Sequence, residues 1–171
     1  IAIVGAGVVG VALADALVSR GERDVVVVDK GPLFATGGSS SHAPGLVSRT
    51  SPSKFLSETA AATLETYAAL STDAGPALLP VGTLEVAYTE ERLAELWRRF
   101  GAAEAFGWGG RMIGPDEAHA RWPIIETDGL LGAYTTTREG LAVSLRAVQA
   151  LAGRAAEDGA RGAISADDAV L

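Results

Sequence analysis

Three glycines near the start of the chain have the G-x-G-x-x-G spacing of a phosphate-binding turn: Gly5, Gly7 and Gly10. They lie between the apolar run Ile1–Val4, which predicts a buried parallel strand, and a helical pattern. The first glycine permits a tight turn, the second lets the backbone approach a pyrophosphate, and the third lets the helix pack close to the strand. We expect the N–H groups of Val8 and Val9 to point at the phosphates. The motif therefore predicts a dinucleotide site.

An acidic residue follows the next predicted strand. The β-branched run Val25–Val28 is typical of a central parallel strand, and Asp29 closes it nineteen residues after Gly10. A carboxylate at this position can accept hydrogen bonds from a ribose diol, and an unpaired carboxylate disfavours a 2′-phosphate. NADP is therefore the least suitable dinucleotide, whereas these residues suit NAD and FAD equally well.

A segment rich in glycine and serine carries one of the two histidines. It reads Gly37-Gly-Ser-Ser-Ser-His42-Ala-Pro-Gly-Leu46 and lies in a loop of about twenty residues that ends near Ser53. A loop of this length without secondary structure is usually functional or disordered. From the residues alone, His42 either serves a bound dinucleotide or caps a turn of its loop. The other histidine, His119, has charged neighbours, and we expect it to be exposed to solvent.

Helical patterns on both sides of this loop predict the elements that position it. Gly21 ends the first helix, whose apolar stripe consists of Leu13, Ala14, Leu17 and Val18. Ser53 can N-cap a second helix from Lys54 to Leu70. We expect its inward face to carry Phe55 or Leu56, Ala60, Leu64, Tyr67 and Ala68, and its solvated face to carry Ser57, Glu58, Glu65 and Thr66.

The middle of the chain predicts a different architecture. The alternation of polar and apolar residues in Thr83–Tyr88 indicates a half-exposed antiparallel strand. Thr89 can cap a helix over 90–106, and the aromatic residues of that helix belong to a core. Another helix starts at Gly114-Pro115, and 130–134 is a short strand.

The last part of the sequence returns to the first architecture. A long amphipathic pattern predicts a helix from Leu141 to Asp158, which Gly159 ends. The next strand is expected within 160–171, although Asp167-Asp168 is a poor strand sequence. The predicted fold class is α/β: a Rossmann-like βαβ domain with an inserted antiparallel α+β segment, incomplete within this chain.

Composition excludes several classes of function. The 171 residues include 14 basic and 21 acidic side chains, a net charge of −7, so nothing favours a nucleic acid or an anionic membrane surface. The absence of cysteine excludes disulfides, thiolate metal sites and a cysteine nucleophile. No apolar run reaches the roughly twenty residues of a membrane-spanning helix, and we expect a cytoplasmic protein.

The histidine segment resembles the flavin-attachment segment of one family. Gly37-Gly-Ser-Ser-Ser-His42-Ala-Pro-Gly-Leu-Val47 is similar to that segment in dimethylglycine oxidases, dimethylglycine dehydrogenases and sarcosine dehydrogenases. The likeness covers nearly the whole chain, through Ser51-Pro-Ser-Lys54, Gly82-Thr-Leu-Glu-Val-Ala87, Glu91-Arg-Leu93, Asp128-Gly-Leu and Gly140-Leu-Ala. The resemblance implies an FAD-binding domain in residues 1–71 and 139–171 and a substrate-domain segment in residues 72–138.

The resemblance also implies roles for individual residues. His42 matches the histidine that is joined through a ring nitrogen to the 8α-methyl carbon of the flavin, a reaction that needs a neutral imidazole. Asp29 and Lys30 match contacts to the adenosine ribose, and Val8 and Val9 match the amides at the pyrophosphate. The segment that lines the ribityl chain and the flavin ring matches Gly38, Ser39, Ser40, Ser41 and Leu46. No catalytic residue is implied within this chain.

The implied reaction is the oxidation of an N-methylated amine such as dimethylglycine or sarcosine. Hydride passes to the flavin, and water hydrolyses the resulting iminium to formaldehyde, or tetrahydrofolate intercepts it on a module that this chain lacks. Oxygen or an electron-transfer protein accepts the electrons. The chain is then a fragment of a longer protein or a truncated product. Two alternatives stay open: an NAD-dependent dehydrogenase fragment, which leaves the His42 segment unexplained, and a non-catalytic nucleotide-binding remnant.

Overall fold

The computed structural model describes residues 1–31 and 38–164, so Gly37 and Asp167-Asp168 lie outside the described residues. The strands are β1 (Ala2–Val4), β2 (Val26–Asp29), β3 (Leu46–Val47), β4 (Ser71–Thr72), β5 (Gly75–Pro76), β6 (Leu78–Leu79), β7 (Thr83–Ala87), β8 (Arg111–Ile113), β9 (Gly132–Thr136), β10 (Gly140–Ala142) and β11 (Arg161–Ile164). The helices are α1 (Val8–Val18), α2 (Ser39–His42), α3 (Lys54–Ala68), α4 (Glu90–Ala105), α5 (Pro115–Arg121) and α6 (Ser144–Glu157). Among these helices, none combines the length and apolar character needed to cross a membrane.

The described residues pack into two compact units, each built from separated segments of the chain. The first unit is formed by the described residues of Ile1–Gly45, Tyr67–Leu79 and Ala142–Leu171, and the second by Leu46–Thr66 and Pro80–Leu141. The domain boundaries predicted from the sequence, after residues 71 and 138, differ from the limits of these units and stay a prediction.

A three-stranded parallel sheet forms the centre of the first unit, in the order β1-β2-β11. Ala2 of β1 and Arg161 of β11 both lie opposite Val26 of β2. Parallel neighbours need a crossover connection, and α1 supplies it between β1 and β2. The predicted α/β class with its βαβ start is therefore confirmed, as is the strand predicted after Gly159.

Helices α1 and α6 pack together with this sheet and form the core of the first unit. Ala14 and Val18 of the predicted α1 stripe are buried, but Leu13 is 47% exposed, and Asp15 is buried instead. Arg154 of α6 explains this, because its guanidinium binds the Asp15 carboxylate with N–O distances of 2.6 and 2.7 Å. This hydrogen bonding raises the pKa of Arg154.

Helix α6 begins later than predicted. It starts at Ser144, and Gly140–Ala142 forms β10 instead. Leu141 pairs with Leu46 of the antiparallel strand β3, so it is a strand residue. A short apolar run fits both periodicities, and only its strand partner decides between them. The end of the helix agrees with the prediction, since Gly159 follows it with a φ of 111°.

An antiparallel sheet in the order β7-β9-β8 forms the centre of the second unit. The central strand β9 places Thr136 opposite Thr83 of β7 and Tyr134 opposite Met112 of β8. The predicted strand at Thr83–Tyr88 is therefore confirmed as antiparallel. The strand predicted at 130–134 is shifted by two residues at each end, to Gly132–Thr136.

Helix α4 packs on this sheet through its apolar stripe, but Trp97 is 53% exposed, so the prediction that the aromatic residues of this helix belong to a core is wrong for Trp97. Leu96 is fully buried and belongs to one cluster with Ala87 and Tyr134. The hydroxyl of Thr89 accepts a hydrogen bond from the N–H of Arg92 at 3.2 Å, so the predicted cap is confirmed. The helix predicted after Gly114 is confirmed as α5.

Helix α3 begins where predicted and buries Leu64 as expected, but its first turn buries a different side chain. The Ser53 hydroxyl accepts a hydrogen bond from the N–H of Leu56 at 3.4 Å, as expected of the cap. Phe55 and Leu56 are 72% and 57% exposed, whereas Ser57, assigned to the solvated face, is fully buried. The Ser57 hydroxyl donates to the carbonyl oxygen of Ser51 at 3.1 Å, so this buried polar group has its partner.

Candidate functional site

The glycine turn joins β1 to α1 at the carboxyl end of the parallel sheet. Gly5 has a φ of 103°, a conformation that favours glycine, and its N–H donates to the carbonyl oxygen of Val28 at 2.7 Å. A Cβ on Gly10 would lie 1.9 Å from the carbonyl oxygen of Gly5, so the close approach of α1 requires glycine there. Gly7 is the N-cap of α1 and offers it no side-chain hydrogen bond. This helix N-terminus therefore suits an anion such as a phosphate.

The carboxylate of Asp29 lies against this turn. It accepts hydrogen bonds from the N–H groups of Ala6 at 2.7 Å and Gly31 at 3.0 Å. These bonds, the one from Ala6 above all, lower the pKa of Asp29 below its ordinary value. The expectation of an unpaired carboxylate is therefore wrong. Each oxygen keeps a further lone pair, so the anion can still accept hydrogen bonds from ribose hydroxyls.

The predicted serine and histidine residues form the one-turn helix α2. The Ser40 hydroxyl accepts a hydrogen bond from the N–H of Val8 at 2.9 Å. The bond joins α2 to the first turn of α1 and caps that helix from a separate element. A backbone N–H can be shared between two acceptors, so a contact between Val8 and a phosphate stays a prediction.

His42 is exposed at the end of α2, and one of its ring nitrogens is already bonded. Its Nδ1 lies 3.0 Å from the carbonyl oxygen of Gly38 and 3.1 Å from the Ser41 hydroxyl. The Ser41 hydroxyl donates to the same Gly38 oxygen at 2.8 Å. A carbonyl oxygen accepts only, so we assign the proton to Nδ1, which leaves the lone pair of the neutral ring on Nε2.

The structure brings most of the predicted site residues into one unit. The glycine turn, Asp29, Lys30 and α2 all belong to the first unit, whereas Leu46 lies in β3 of the second and is 62% exposed. Val9 is 79% exposed, and Lys30 is exposed beside Asp29. The cofactor contacts of these residues stay predictions.

The remaining candidates for a functional site are His119 and clusters of side chains that could bind a metal ion. His119 is exposed, as expected, and its Nδ1 lies 2.9 Å from the carbonyl oxygen of Ile125. Within residues 1–31 and 38–164, no cluster of histidine, aspartate and glutamate side chains could hold a metal ion.

Sequence reasoning missed the groups that organise the site. Ala6 and Gly31 hold Asp29 through backbone N–H groups, which every residue type except proline offers. Ser40 was expected to line the ribityl chain, and its bond to Val8 was not foreseen. A serine in a glycine-rich loop gives no signal of a partner thirty-two residues away.

A parallel βαβ unit with a glycine turn and an acid at the end of its second strand defines the dinucleotide-binding class of α/β proteins. Residues 1–162 match the family described as DAO, FAD dependent oxidoreductase. The match covers most of the chain, so the protein belongs to the FAD-dependent oxidoreductase family. Family membership favours FAD over NAD, which the residues alone left open.

Curated relatives agree with the resemblance seen in the sequence. The chain is 29% identical over 140 residues to the mitochondrial dimethylglycine dehydrogenase of Rattus norvegicus, covering 81% of this chain and 16% of the relative. It is 28% identical over 140 residues to the 4-methylaminobutanoate oxidase (formaldehyde-forming) of Paenarthrobacter nicotinovorans, covering 81% of this chain and 17% of the relative. The chain therefore spans less than a fifth of these relatives.

Solved structures show the same fold. L-proline dehydrogenase from P. horikoshii has a TM-score of 0.83 at 23% identity, with 96% of this chain and 43% of that chain covered. Glycine oxidase from Geobacillus kaustophilus has a TM-score of 0.72 at 26% identity, with 95% of this chain and 45% of that chain covered. The predicted fold class and the relation to flavin-dependent amine oxidoreductases are thus confirmed.

The residues present fit the adenosine diphosphate part of FAD. The N-terminus of α1 lacks a cap from Gly7, and any Cβ added at Gly7 would enter the space beside Ser40, 3.2 Å from its hydroxyl. Asp29 offers an ionised carboxylate at the edge of the same turn. The N–H groups at the start of α1 thus suit a phosphate, and the Asp29 carboxylate suits the hydroxyls of a ribose.

Proposed function

We propose that this chain supplies the FAD-binding part of an oxidoreductase that oxidises N-methylated glycine-type amines, with the flavin covalently attached at His42. The observation that carries the proposal is the position of His42 on α2, which is joined to the glycine turn through Ser40 and Val8. The histidine that the resemblance implies as a tether thus belongs to the same unit as the dinucleotide motif.

The hydrogen bonds of His42 support a particular attachment atom. Gly38 accepts a hydrogen bond from Nδ1, which fixes the tautomer and leaves Nε2 as the nucleophilic nitrogen. Attachment through Nε2 first gives an imidazolium, which keeps the Nδ1 proton and its hydrogen bond to Gly38. Once that proton leaves, Nδ1 can only accept a hydrogen bond, and the Ser41 hydroxyl lies 3.1 Å from it. We therefore propose Nε2 as the linked atom, which NMR of the isolated flavin peptide can test.

The proposed substrates are dimethylglycine and sarcosine. The names of the two curated relatives describe activities on N-methylated amines, which supports this class. FAD, when bound, supplies the group that accepts two electrons, as a hydride, from the N-methyl carbon of the substrate. Asp29 and the α1 N-terminus hold its adenosine diphosphate part, and His42 prevents its dissociation. Oxygen or an electron-transfer protein then serves as the final acceptor.

The proposal is tested on the full-length protein by acid precipitation, followed by the visible spectrum and the mass of the peptide that contains His42. We expect yellow colour in the pellet and a mass increment of one FAD on that peptide. In His42→Ala, the flavin should move to the supernatant, while a conservative change at His119 leaves it in the pellet. A yellow supernatant from the wild-type protein would show that the flavin is not covalently bound. Covalent flavin in His42→Ala would show that another residue is the point of attachment.

A protein that is colourless in both fractions would favour a non-catalytic nucleotide-binding remnant. Substrate class is tested separately, by formaldehyde release from dimethylglycine, sarcosine and 4-methylaminobutanoate. Turnover of 4-methylaminobutanoate alone would keep the flavin proposal and overturn the glycine-type substrate.

A further inference from the structure

A side-chain hydrogen bond joins α2 to the glycine turn. Val8 is the first residue of α1, and its N–H donates to the Ser40 hydroxyl at 2.9 Å. Ser40 lies two positions before His42 on the same helical turn. The bond therefore fixes the distance between the start of α1 and the residue proposed to carry the flavin.

The short helix α2 packs against α6, and the Ser40 hydroxyl adds a hydrogen bond to α1. Helix α2 contains four residues, none of them buried, and its N-cap Gly38 provides no side-chain cap. One isolated helical turn is unstable in water, because nucleation costs more than its few hydrogen bonds return. The bonds of Ser41 and His42 to Gly38 shape the turn from within. The bond of Ser40 to Val8 anchors α2 to α1.

The glycine turn has space for this anchor. Gly7 has a φ of −72°, which any residue can adopt, so its backbone does not require glycine. A Cβ at this position would lie 3.2 Å from the Ser40 hydroxyl, closer than side chains normally approach. The second glycine of the motif thus makes room for Ser40 as well as for a phosphate.

We propose that Ser40 is a positioning residue for flavin attachment: its hydrogen bond to Val8 holds α2 in the place where His42 Nε2 can react. In that reaction the 8α-methyl group would lose a proton, Nε2 would bond to the resulting electrophilic carbon, and dissolved oxygen would reoxidise the flavin, which the addition leaves reduced by two electrons. This inference rests on the proposed function. It assigns Ser40 no contact with the reacting atoms, because its hydroxyl acts through the position of α2. Covalent reactions depend steeply on such placement, and a displacement of about 1 Å can cost on the order of a hundredfold in rate.

The test separates attachment from binding. Flavin-free full-length protein is mixed with FAD, and the rate of acid-stable flavin formation is measured for the wild-type, Ser40→Ala and Ser40→Thr proteins. Ser19→Ala makes the same change at an exposed serine beyond the far end of α1 and serves as the control. The Kd for FAD is measured for the same substitutions combined with His42→Ala, where no link can form.

We expect Ser40→Ala to slow attachment by about ten- to a hundredfold, a larger factor than the change in the Kd for FAD. Ser40→Thr keeps the hydroxyl and should retain most of the rate, and Ser19→Ala should match the wild type. A wild-type attachment rate in Ser40→Ala would overturn the inference and leave the covalent link standing. Equal losses in Ser40→Ala and Ser40→Thr would also overturn it, because the hydroxyl would then not be the cause. If the wild-type protein forms no acid-stable flavin, the covalent link of the proposed function fails and the inference fails with it.

Discussion

The carboxylate of Asp29 has a structural role that does not depend on a ligand. Its bonds to Ala6 and Gly31 join the end of β2 to the turn after β1, so the acid and the glycine turn are held together. The sequence predicted the position of Asp29 from its spacing to Gly10. It could not predict the bond from Ala6, since this backbone donor is brought close by the parallel pairing of the strands, whereas Gly31 lies only two residues after Asp29.

The lowered pKa of Asp29 has a consequence for acid stability. A group whose pKa is lower in the folded protein stabilises it fully above the unfolded-state pKa, and this contribution disappears as the pH falls through the folded pKa. We expect Asp29→Asn to lower the free energy of unfolding by about 1 kcal/mol at neutral pH. The difference from the wild type should shrink once the pH falls below about 3.9, the ordinary aspartate value.

Urea unfolding of both proteins across this pH range provides the measurement. Asp73→Asn, at an exposed position of the first unit, is the control and should show no comparable difference at neutral pH. A stability difference that grew as the pH fell would contradict the assigned hydrogen bonds.

Helix and strand ends were predictable wherever the signal is local. The caps of α3 and α4 come from Ser53 and Thr89. Each hydroxyl accepts a hydrogen bond from an N–H group three residues further along the chain. The buried faces were less predictable, because they depend on distant partners. Asp15 is buried by Arg154, and Leu141 is a strand residue because Leu46 pairs with it. Helical periodicity carries no information about such partners.

Two helical glycines give a matched test of how α1 packs. A Cβ on Gly10 would lie 1.9 Å from the Gly5 carbonyl oxygen, whereas a Cβ on Gly153 of α6 would meet nothing within 4 Å. We expect Gly153→Ala to stabilise the protein by up to about 1 kcal/mol, the ordinary gain of alanine over glycine in a helix. Gly10→Ala should destabilise it by more than about 2 kcal/mol, because α1 must move away from β1.

The midpoints of thermal unfolding for the two variants, measured without added FAD, provide this comparison. Equal midpoints would show that the turn can move at little cost to accept a Cβ on Gly10, and Gly10 would then not have the packing role assigned to it. The absence of added cofactor separates this packing effect from any loss of phosphate binding.

At the scale of the whole molecule, each compact unit is built from segments that are far apart in the sequence. The second unit is made from Leu46–Thr66 and Pro80–Leu141, so residues from both segments must be joined. Glu139 joins them, although it is only 1% exposed. Its carboxylate accepts hydrogen bonds from the N–H groups of Arg49 at 2.9 Å and Thr50 at 3.2 Å, and from the Thr83 hydroxyl at 2.8 Å. A lone glutamate in the sequence gives no sign of this role.

Glu139→Gln tests whether this buried carboxylate holds the second unit together. The amide keeps the shape of the side chain, and with its oxygen toward the backbone N–H groups its NH2 group faces the Thr83 hydroxyl, which must turn to accept. The hydrogen bonds to Oε1 then lose the help of the negative charge, and because such bonds to a charged group are about twice as strong as neutral ones, we expect a loss of about 1–3 kcal/mol in the free energy of unfolding. Glu104→Gln, at an exposed position on α4, should change it by less than about 0.5 kcal/mol. Amide hydrogen exchange locates the effect: faster exchange at Arg49 and Thr50 in Glu139→Gln alone is expected. Unchanged exchange at these two amides would show that the segments are held together by other contacts.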